Sequence, residues 1–102
     1  MEAQAYNFLG LAQRAGKAFS GEAGAEAHLN RGNVKLVILA EDASDRTKRS
    51  FEELAAHRKT PVIIAGTKVK LGLALGKSPR SVIVITDEGF ARRLEQFLGM
   101  SR

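Results

Sequence analysis

The sequence predicts an α/β protein: a three-layer α/β/α sandwich around a small sheet of about four strands, formed by residues 1–102 as a single domain. Three short runs rich in Val and Ile predict strands that helices cover on both faces, because the runs lack alternating polar positions. The segments between these runs carry apolar residues at helical spacing. The chain has 102 residues, of which 44% are hydrophobic, so its size and composition suit one globular unit.

The individual elements follow from local patterns. We predict strands over residues 34–40, 62–65 and 82–85, and a short fourth strand over residues 18–20. Helices are predicted up to residue 15, over 22–30, from shortly after 42, over 68–75, and in the segment ending near 98. Glycines at positions 16, 32 and 76 are predicted to end the first, second and fourth helices. Ser44 or Asp45 is predicted to cap the third helix, and Thr86 or Asp87 the last.

The composition excludes several functional classes. The chain has no cysteine, which excludes a disulfide framework, a zinc knuckle and a thiol nucleophile. No apolar run reaches the roughly 18 to 20 residues of a membrane helix. The amino terminus lacks the basic and apolar regions of a secretory signal. We therefore expect a cytoplasmic protein without a membrane partner.

The charge distribution favours an anionic partner. The 16 Lys and Arg residues outnumber the 11 Asp and Glu residues, which gives a formal charge of +5 and suits RNA, DNA or anionic lipid. No acidic residue lies between Leu54 and Thr86. The cations of that stretch are Arg58, Lys59, Lys68, Lys70, Lys77 and Arg80. The last four surround one predicted helix and its following loop, where they can converge on phosphates. The alternative is an ordinary solvated surface.

No set of residues assembles a catalytic centre. Residues 72–78 and 10–17 approach the phosphate-binding loop, but the first is one residue too short and the second one too long. His28 and His57 lie in predicted helices without a Ser or acidic partner at useful spacing. We therefore predict a protein that is not an enzyme and needs no cofactor.

Acidic residues gather after the second predicted strand. Glu41 and Asp42 follow that strand, with Asp45 nearby, and paired acids at the carboxyl end of a strand can hold magnesium. The same residues flank a predicted helix start, where carboxylates cap backbone amides. Capping is therefore the favoured interpretation, and the metal site is the alternative.

The aromatic residues predict no platform for base stacking. Phe51, Phe90 and Phe97 belong to the apolar stripes of helices, while Tyr6 and Phe19 are isolated in the sequence. If RNA is the ligand, we expect a shaped element held by Lys and Arg contacts and a helix amino terminus.

Five segments together resemble one protein family. They are residues 8–17 (FLGLAQRAGK), 29–32 (LNRG), 35–42 (KLVILAED), 67–72 (TKVKLG) and 87–91 (DEGFA). Their order and spacing are similar to the kink-turn RNA-binding ribosomal proteins of the L7Ae and L30e family, and to its bacterial YlxQ-like branch. The resemblance covers nearly the whole chain. It implies an α/β/α sandwich with a mixed four-stranded sheet, and structured RNA, ribosomal or kink-turn-like, as the partner.

The resemblance also implies a binding site. Gly21 matches the glycine of a Ser-Gly turn, Arg31 a basic contact on the next helix, and Lys68 a Lys before a Leu-Gly step. Residues 77–81 match a loop that lies beside an extruded nucleotide. With the other cations near these positions, the predicted RNA-binding residues are Arg14, Lys17, Gly21, Arg31, Lys68, Lys70, Lys77, Arg80 and Ser81.

The chain departs from the family pattern where the family reads guanine edges. Ala23, Gly24 and Ala27 stand where family members carry Asn, Glu and Lys. Each good bidentate base contact is worth about 1 to 3 kcal/mol of discrimination, so we expect a weak or altered kink-turn preference. Glu22 and Glu26 add negative charge to this helix. The alternative is a protein–protein interaction module on the same fold, with a ribosomal or transcription-linked protein as partner. DNA is not expected.

Overall fold

Helices and strands alternate along the chain, which confirms the predicted fold class. In this computed structural model, the described residues 1–99 form five helices and four strands. The elements are α1 (Ala3–Arg14), β1 (Ala18–Ser20), α2 (Glu22–Arg31), β2 (Leu36–Leu39), α3 (Asp45–His57), β3 (Val62–Ile64), α4 (Lys68–Ala74), β4 (Val82–Ile85) and α5 (Glu88–Phe97). No helix of residues 1–99 combines the length and apolarity needed to cross a membrane.

The strands of the described residues form one mixed sheet in the order β1-β4-β2-β3. β4 pairs antiparallel with both β1 and β2, whereas β2 pairs parallel with β3. The mixed sheet that the resemblance implied is thereby confirmed. β2 and β4 are the central strands, and all their residues are buried. This placement explains why their sequences are apolar without alternation.

Each face of the sheet has its own hydrophobic core. Leu36 and Ile38 of β2 join the cluster under α1, α4 and α5, whereas Val37 and Leu39 join the cluster under α2 and α3. Successive side chains of a strand point to opposite faces, so one apolar run supplies both cores. The three layers follow directly from this arrangement.

Within residues 1–99, the side chain of the N-cap residue accepts a backbone hydrogen bond in three helices. Ser44 Oγ accepts a hydrogen bond from the Thr47 N–H at 3.1 Å, and an Asp87 carboxylate oxygen accepts one from the Phe90 N–H at 2.9 Å. Thr67 Oγ1 accepts one from Lys70 at the start of α4, at 3.3 Å. Of the alternatives predicted for α3 and α5, Ser44 and Asp87 are therefore the caps.

Gly72 lets α4 lie directly against the loop that follows it. A Cβ placed on Gly72 would lie within 2.9 Å of the Ser78 and Lys77 carbonyl oxygens, which belong to the backbone and cannot swing aside. The Lys77 N–H also donates to the Gly72 carbonyl oxygen at 2.8 Å. The Leu-Gly step of α4 therefore fixes the position of the loop that carries Lys77 and Arg80.

Replacing Gly72 by Ala is expected to lower the free energy of unfolding by about 2 kcal/mol, because a methyl group would push the loop backbone away from α4. Gly24→Ala is the matched control. Gly24 lies inside α2, where an added Cβ meets no atom within 4 Å. The control is expected to raise the free energy of unfolding by about 0.5 to 1 kcal/mol through helix propensity. Urea unfolding followed by circular dichroism measures both values, and equal stability of the two variants would contradict the prediction.

Candidate nucleic-acid interface

Four chain segments meet at one end of the sheet. The Ala40 N–H donates to the Ser81 carbonyl oxygen at 2.9 Å, and the Glu41 N–H donates to the Gly66 carbonyl oxygen at 2.8 Å. The Gly21 N–H donates to the carbonyl oxygen of Val82, the first residue of β4, at 3.2 Å. The starts of α2 and α4 and the loop before β4 therefore lie side by side. We call this region, defined by Gly21, Glu41, Gly66 and Ser81, the upper end of the sheet.

Gly21 makes the turn that starts α2 at this end. Its φ of 90° lies in the region that favours glycine, and the helix begins at the next residue. The turn thus follows β1 immediately, and it brings the first residues of α2 next to β4. This is the turn glycine that the sequence resemblance implied.

Arg80 is held in one orientation at the upper end. Its Nε donates to Ser20 Oγ at 3.1 Å, and its Nη1 donates to Ser78 Oγ at 2.8 Å. Its backbone N–H donates to the Lys68 carbonyl oxygen at 3.0 Å. Within residues 1–99, no hydrogen bond uses Nη2. The guanidinium is thereby preorganised, with one amino group available for an oxyanion.

Asp42 connects the end of β2 to the start of α4. Its Oδ1 accepts a hydrogen bond from the Lys68 N–H at 2.9 Å. The sequence predicted that Asp42 caps the following helix, α3, and this is wrong. The Asp42 carboxylate accepts a hydrogen bond from the start of α4, and Ser44 caps α3. Among residues 1–99, no group of three or more His, Asp or Glu side chains is placed to hold a metal ion.

The predicted RNA-binding residues divide between the two ends of the sheet. Gly21, Lys68, Arg80 and Ser81 lie at the upper end, and Lys77 lies on the adjoining loop. Lys70 is exposed within the first turn of α4. These six residues are the ones that the fold brings together.

The other three predicted residues lie elsewhere. Arg31 is the last residue of α2, about 14 Å along the helix from its start at 1.5 Å per residue. The Lys17 carbonyl oxygen accepts from the Thr86 N–H at 2.9 Å, which places Lys17 at the opposite end of β4. Arg14 is the exposed last residue of α1. A site that includes all nine residues would have to extend over both ends of the sheet.

A cavity of about 300 Å³ lies along the free edge of β1. Its lining residues are Gln13, Ala18, Phe19, Ser20, Gly24, His28, Lys77 and Arg80. Phe19 and His28 stack within it, with ring centroids 4.2 Å apart and planes inclined by 27°. Phe19, which is isolated in the sequence, therefore has a stacked neighbour in the structure. The pair forms only because α2 packs back on the strand that precedes it, and spacing in the sequence gives no direct signal of that contact.

The glutamates of α2 line a different surface. Glu22 and Glu26 line a groove between α2 and α3, together with Glu53 and His57. Gly24 and His28, one turn apart on the same helix, line the β1 cavity instead. The negative charge of α2 therefore belongs to the α2–α3 groove, whereas the cavity is lined by two cations.

Tyr6 lies on α1 near the start of α4. Burial raises the pKa of its hydroxyl, a hydrogen bond with the Thr67 backbone opposes this shift, and the Glu41 carboxylate adds to it. The neutral phenol is thus favoured by folding. The associated stability is present below the ordinary tyrosine pKa of about 10 and is lost as the pH rises through the raised pKa.

The sequence matches a known family over this whole arrangement. A profile of the ribosomal protein L7Ae/L30e/S12e/Gadd45 family matches residues 3–95. The chain belongs to this family. The family resemblance of the sequence is thereby confirmed, and the match includes the turn at Gly21, α4 and the loop before β4.

Three similar proteins from bacteria illustrate the match. The RNA-binding protein YlxQ of Bacillus subtilis (strain 168) is 37% identical over 93 residues, which are 91% of this chain and 93% of that protein. YlxQ of Enterococcus faecium is 33% identical over 95 residues, 93% of this chain and 91% of that protein. The solved structure of a Bacillus halodurans C protein of unknown function superposes with a TM-score of 0.91 at 37% identity, covering 96% of this chain and 99% of that one.

Removing the Asp42 carboxylate is expected to destabilise the upper end. Asp42→Ala leaves the Lys68 N–H without its acceptor, so we expect the free energy of unfolding to fall by about 1 to 2 kcal/mol. Asp45→Ala is the matched control, because Asp45 is an exposed carboxylate in the first turn of α3. Its loss is expected to cost less than about 1 kcal/mol. Urea unfolding of the two variants measures the difference.

Two results would contradict this role for Asp42. One is an equal loss of stability in both variants. The other is a rise in Tm on addition of Mg²⁺ that Asp42→Asn abolishes, which would support the metal-binding alternative.

Proposed function

We propose that this chain is a non-catalytic RNA-binding protein whose RNA surface lies at the upper end of the sheet. The observation that carries this proposal is the fixed guanidinium of Arg80, which is flanked by Lys68 and Lys77 at the meeting point of β1, α4 and the loop. A preorganised Arg beside flexible Lys side chains suits a phosphate backbone of defined shape. The names of the YlxQ relatives agree with RNA as the ligand.

Structured RNA is the proposed ligand class, with ribosomal RNA as the first candidate and a role near translation. Ala23, Gly24 and Ala27 offer no side chain that can read a guanine edge, so phosphate and shape contacts supply most of the affinity. The proposed protein thus binds RNA with a weak or altered preference for kink-turns. Lys70 and Ser81 extend the proposed surface along α4 and β4. Contacts at Arg14, Lys17 and Arg31 would require an RNA that reaches beyond the upper end.

Salt dependence tests the location of the RNA surface. Lys68→Gln and Lys77→Gln each remove one positive charge from the proposed surface, so each should weaken binding and lower the slope of log K against log[salt] by about one. Lys59→Gln is the matched control, since Lys59 lies just beyond α3 and does not line the cavity or the upper end. The titrations use structured ribosomal RNA fragments between 50 and 200 mM salt.

Equal slopes for all three variants would place the RNA elsewhere on the protein. Absence of any binding at low salt would refute RNA binding itself.

Restoring the missing readers tests the altered kink-turn preference. The triple variant Ala23→Asn, Gly24→Glu and Ala27→Lys leaves the net charge unchanged, so general attraction to RNA should stay constant. We expect it to favour a kink-turn over the same RNA with Watson–Crick pairs in place of its G·A pairs by about 10-fold or more. The unaltered chain should discriminate less than the variant. Strong discrimination by the unaltered chain would contradict the prediction.

One observation favours a protein partner as the second candidate. The α2–α3 groove of about 390 Å³ carries Glu22, Glu26 and Glu53 around the side chains of Phe51 and Leu54, on a chain that is otherwise basic. A basic protein segment would suit this groove. Partners captured from lysate that persist after ribonuclease treatment, together with absent RNA binding, would favour this candidate.

A further inference from the structure

The β1 cavity contains an aromatic surface of fixed orientation. Phe19 packs against the core cluster under α2 and α3, and the His28 ring stacks on it at 4.2 Å. The Asn33 amide nitrogen lies within hydrogen-bond distance of His28 Nδ1, at 3.3 Å. Ring stacking and this hydrogen bond together limit rotation of the imidazole. Unpaired bases bind on aromatic surfaces of this kind.

Gly24 leaves space above this surface. It precedes His28 by one helical turn and lines the same cavity, and a Cβ at position 24 would meet no atom within 4 Å. Glycine inside a helix is unfavourable compared with alanine, and the close packing that would require it is absent at this position. Gly24 therefore lowers the stability of α2, and no packing contact among the described residues requires a glycine there.

The opposite wall of the cavity is cationic. Lys77 and Arg80 line it, and the hydrogen bonds to Ser20 and Ser78 direct the Arg80 guanidinium. None of the described residues that line the cavity is acidic. The cavity thus has an aromatic wall on one side and a wall suited to an oxyanion on the other. Its volume of about 300 Å³ is at the lower end of the range for small-ligand pockets.

We infer that this cavity binds one unpaired nucleotide, with the base against the Phe19–His28 stack and the phosphate at Lys77 and Arg80. This inference rests on the proposed function in its RNA form, since the nucleotide would then be part of the bound RNA. A free nucleoside monophosphate offers the same chemistry. The volume suits a single nucleotide, and the base would be held by stacking and shape.

The two histidines allow a direct test by NMR. His28 lines the β1 cavity, whereas His57 lines the α2–α3 groove on the other side of α2, so His57 is an internal control. A stacked base shifts imidazole C–H resonances upfield through its ring current. We expect adenosine 5′-monophosphate, and a structured RNA with one unpaired adenine, to shift the His28 resonances and leave those of His57 unchanged.

Two further comparisons separate the base from the phosphate. Replacing the unpaired adenine by an abasic site should lower RNA affinity about 10-fold, because stacking is lost while all phosphates remain. Gly24→Leu should fill the cavity, abolish the His28 shift and lower affinity by a similar factor, with Tm unchanged or raised. Ala27→Leu is the matched control, since Ala27 is exposed on the same helix and does not line the cavity.

The outcomes are distinguishable. RNA binding that ignores the abasic change and Gly24→Leu, with no His28 shift, would overturn the inference and leave the proposed function intact. A His28 shift with the monophosphate that Gly24→Leu abolishes, but no binding of either RNA, would support the cavity as a site for free nucleotides and refute the RNA-binding function. Loss of both signals would overturn both proposals.

Discussion

The burial of β2 and β4 on both faces determines the rest of the molecule. Their alternating side chains enter two separate cores, so neither face of the central sheet meets water. Helices must therefore cover both faces, and the strands are connected through them. Connections of this kind gather loops at the two ends of the sheet. For this reason Ser20, Lys68 and Arg80, which are far apart in the sequence, are joined by hydrogen bonds at the upper end.

Local geometry concentrates positive charge more strongly than the net charge of +5 suggests. The acid-free stretch after Leu54 supplies α4 and the following loop, and Gly72 holds that loop against the helix. The Asp42 carboxylate at this end accepts a hydrogen bond from the Lys68 backbone. The glutamates at positions 22 and 26 line the groove on the far side of α2. The glutamates of α2 therefore lie on a different surface from the two cations that line the β1 cavity.

Much of the fold could be predicted because its signals are local. The strand runs and the glycine ends of helices each depend on a few neighbouring residues, and the structure confirms their positions to within a few residues. For the caps of α3 and α5 the sequence offered two residues each, and the structure selects Ser44 and Asp87. The partner of Asp42 could not be predicted, because Lys68 lies 26 residues away and the contact depends on the sheet order. The Phe19–His28 stack could not be predicted either, because it forms between β1 and α2 only when the helix packs back on the strand. Contacts across elements need the topology, and local patterns in one sequence do not supply it.

The change at position 24 connects the two proposals. A glutamate there, as in the family pattern, would begin at the wall of the β1 cavity and reduce its volume, and it would bring a carboxylate near Lys77 and Arg80. In the proposed binding mode, Gly24 offers no side chain to a paired guanine, and it leaves open space beside His28. If the chain had only lost RNA binding, neither the fixed orientation of Arg80 nor that of His28 would be needed. Their joint presence around the cavity supports the proposed RNA binding more than the alternative of a protein partner.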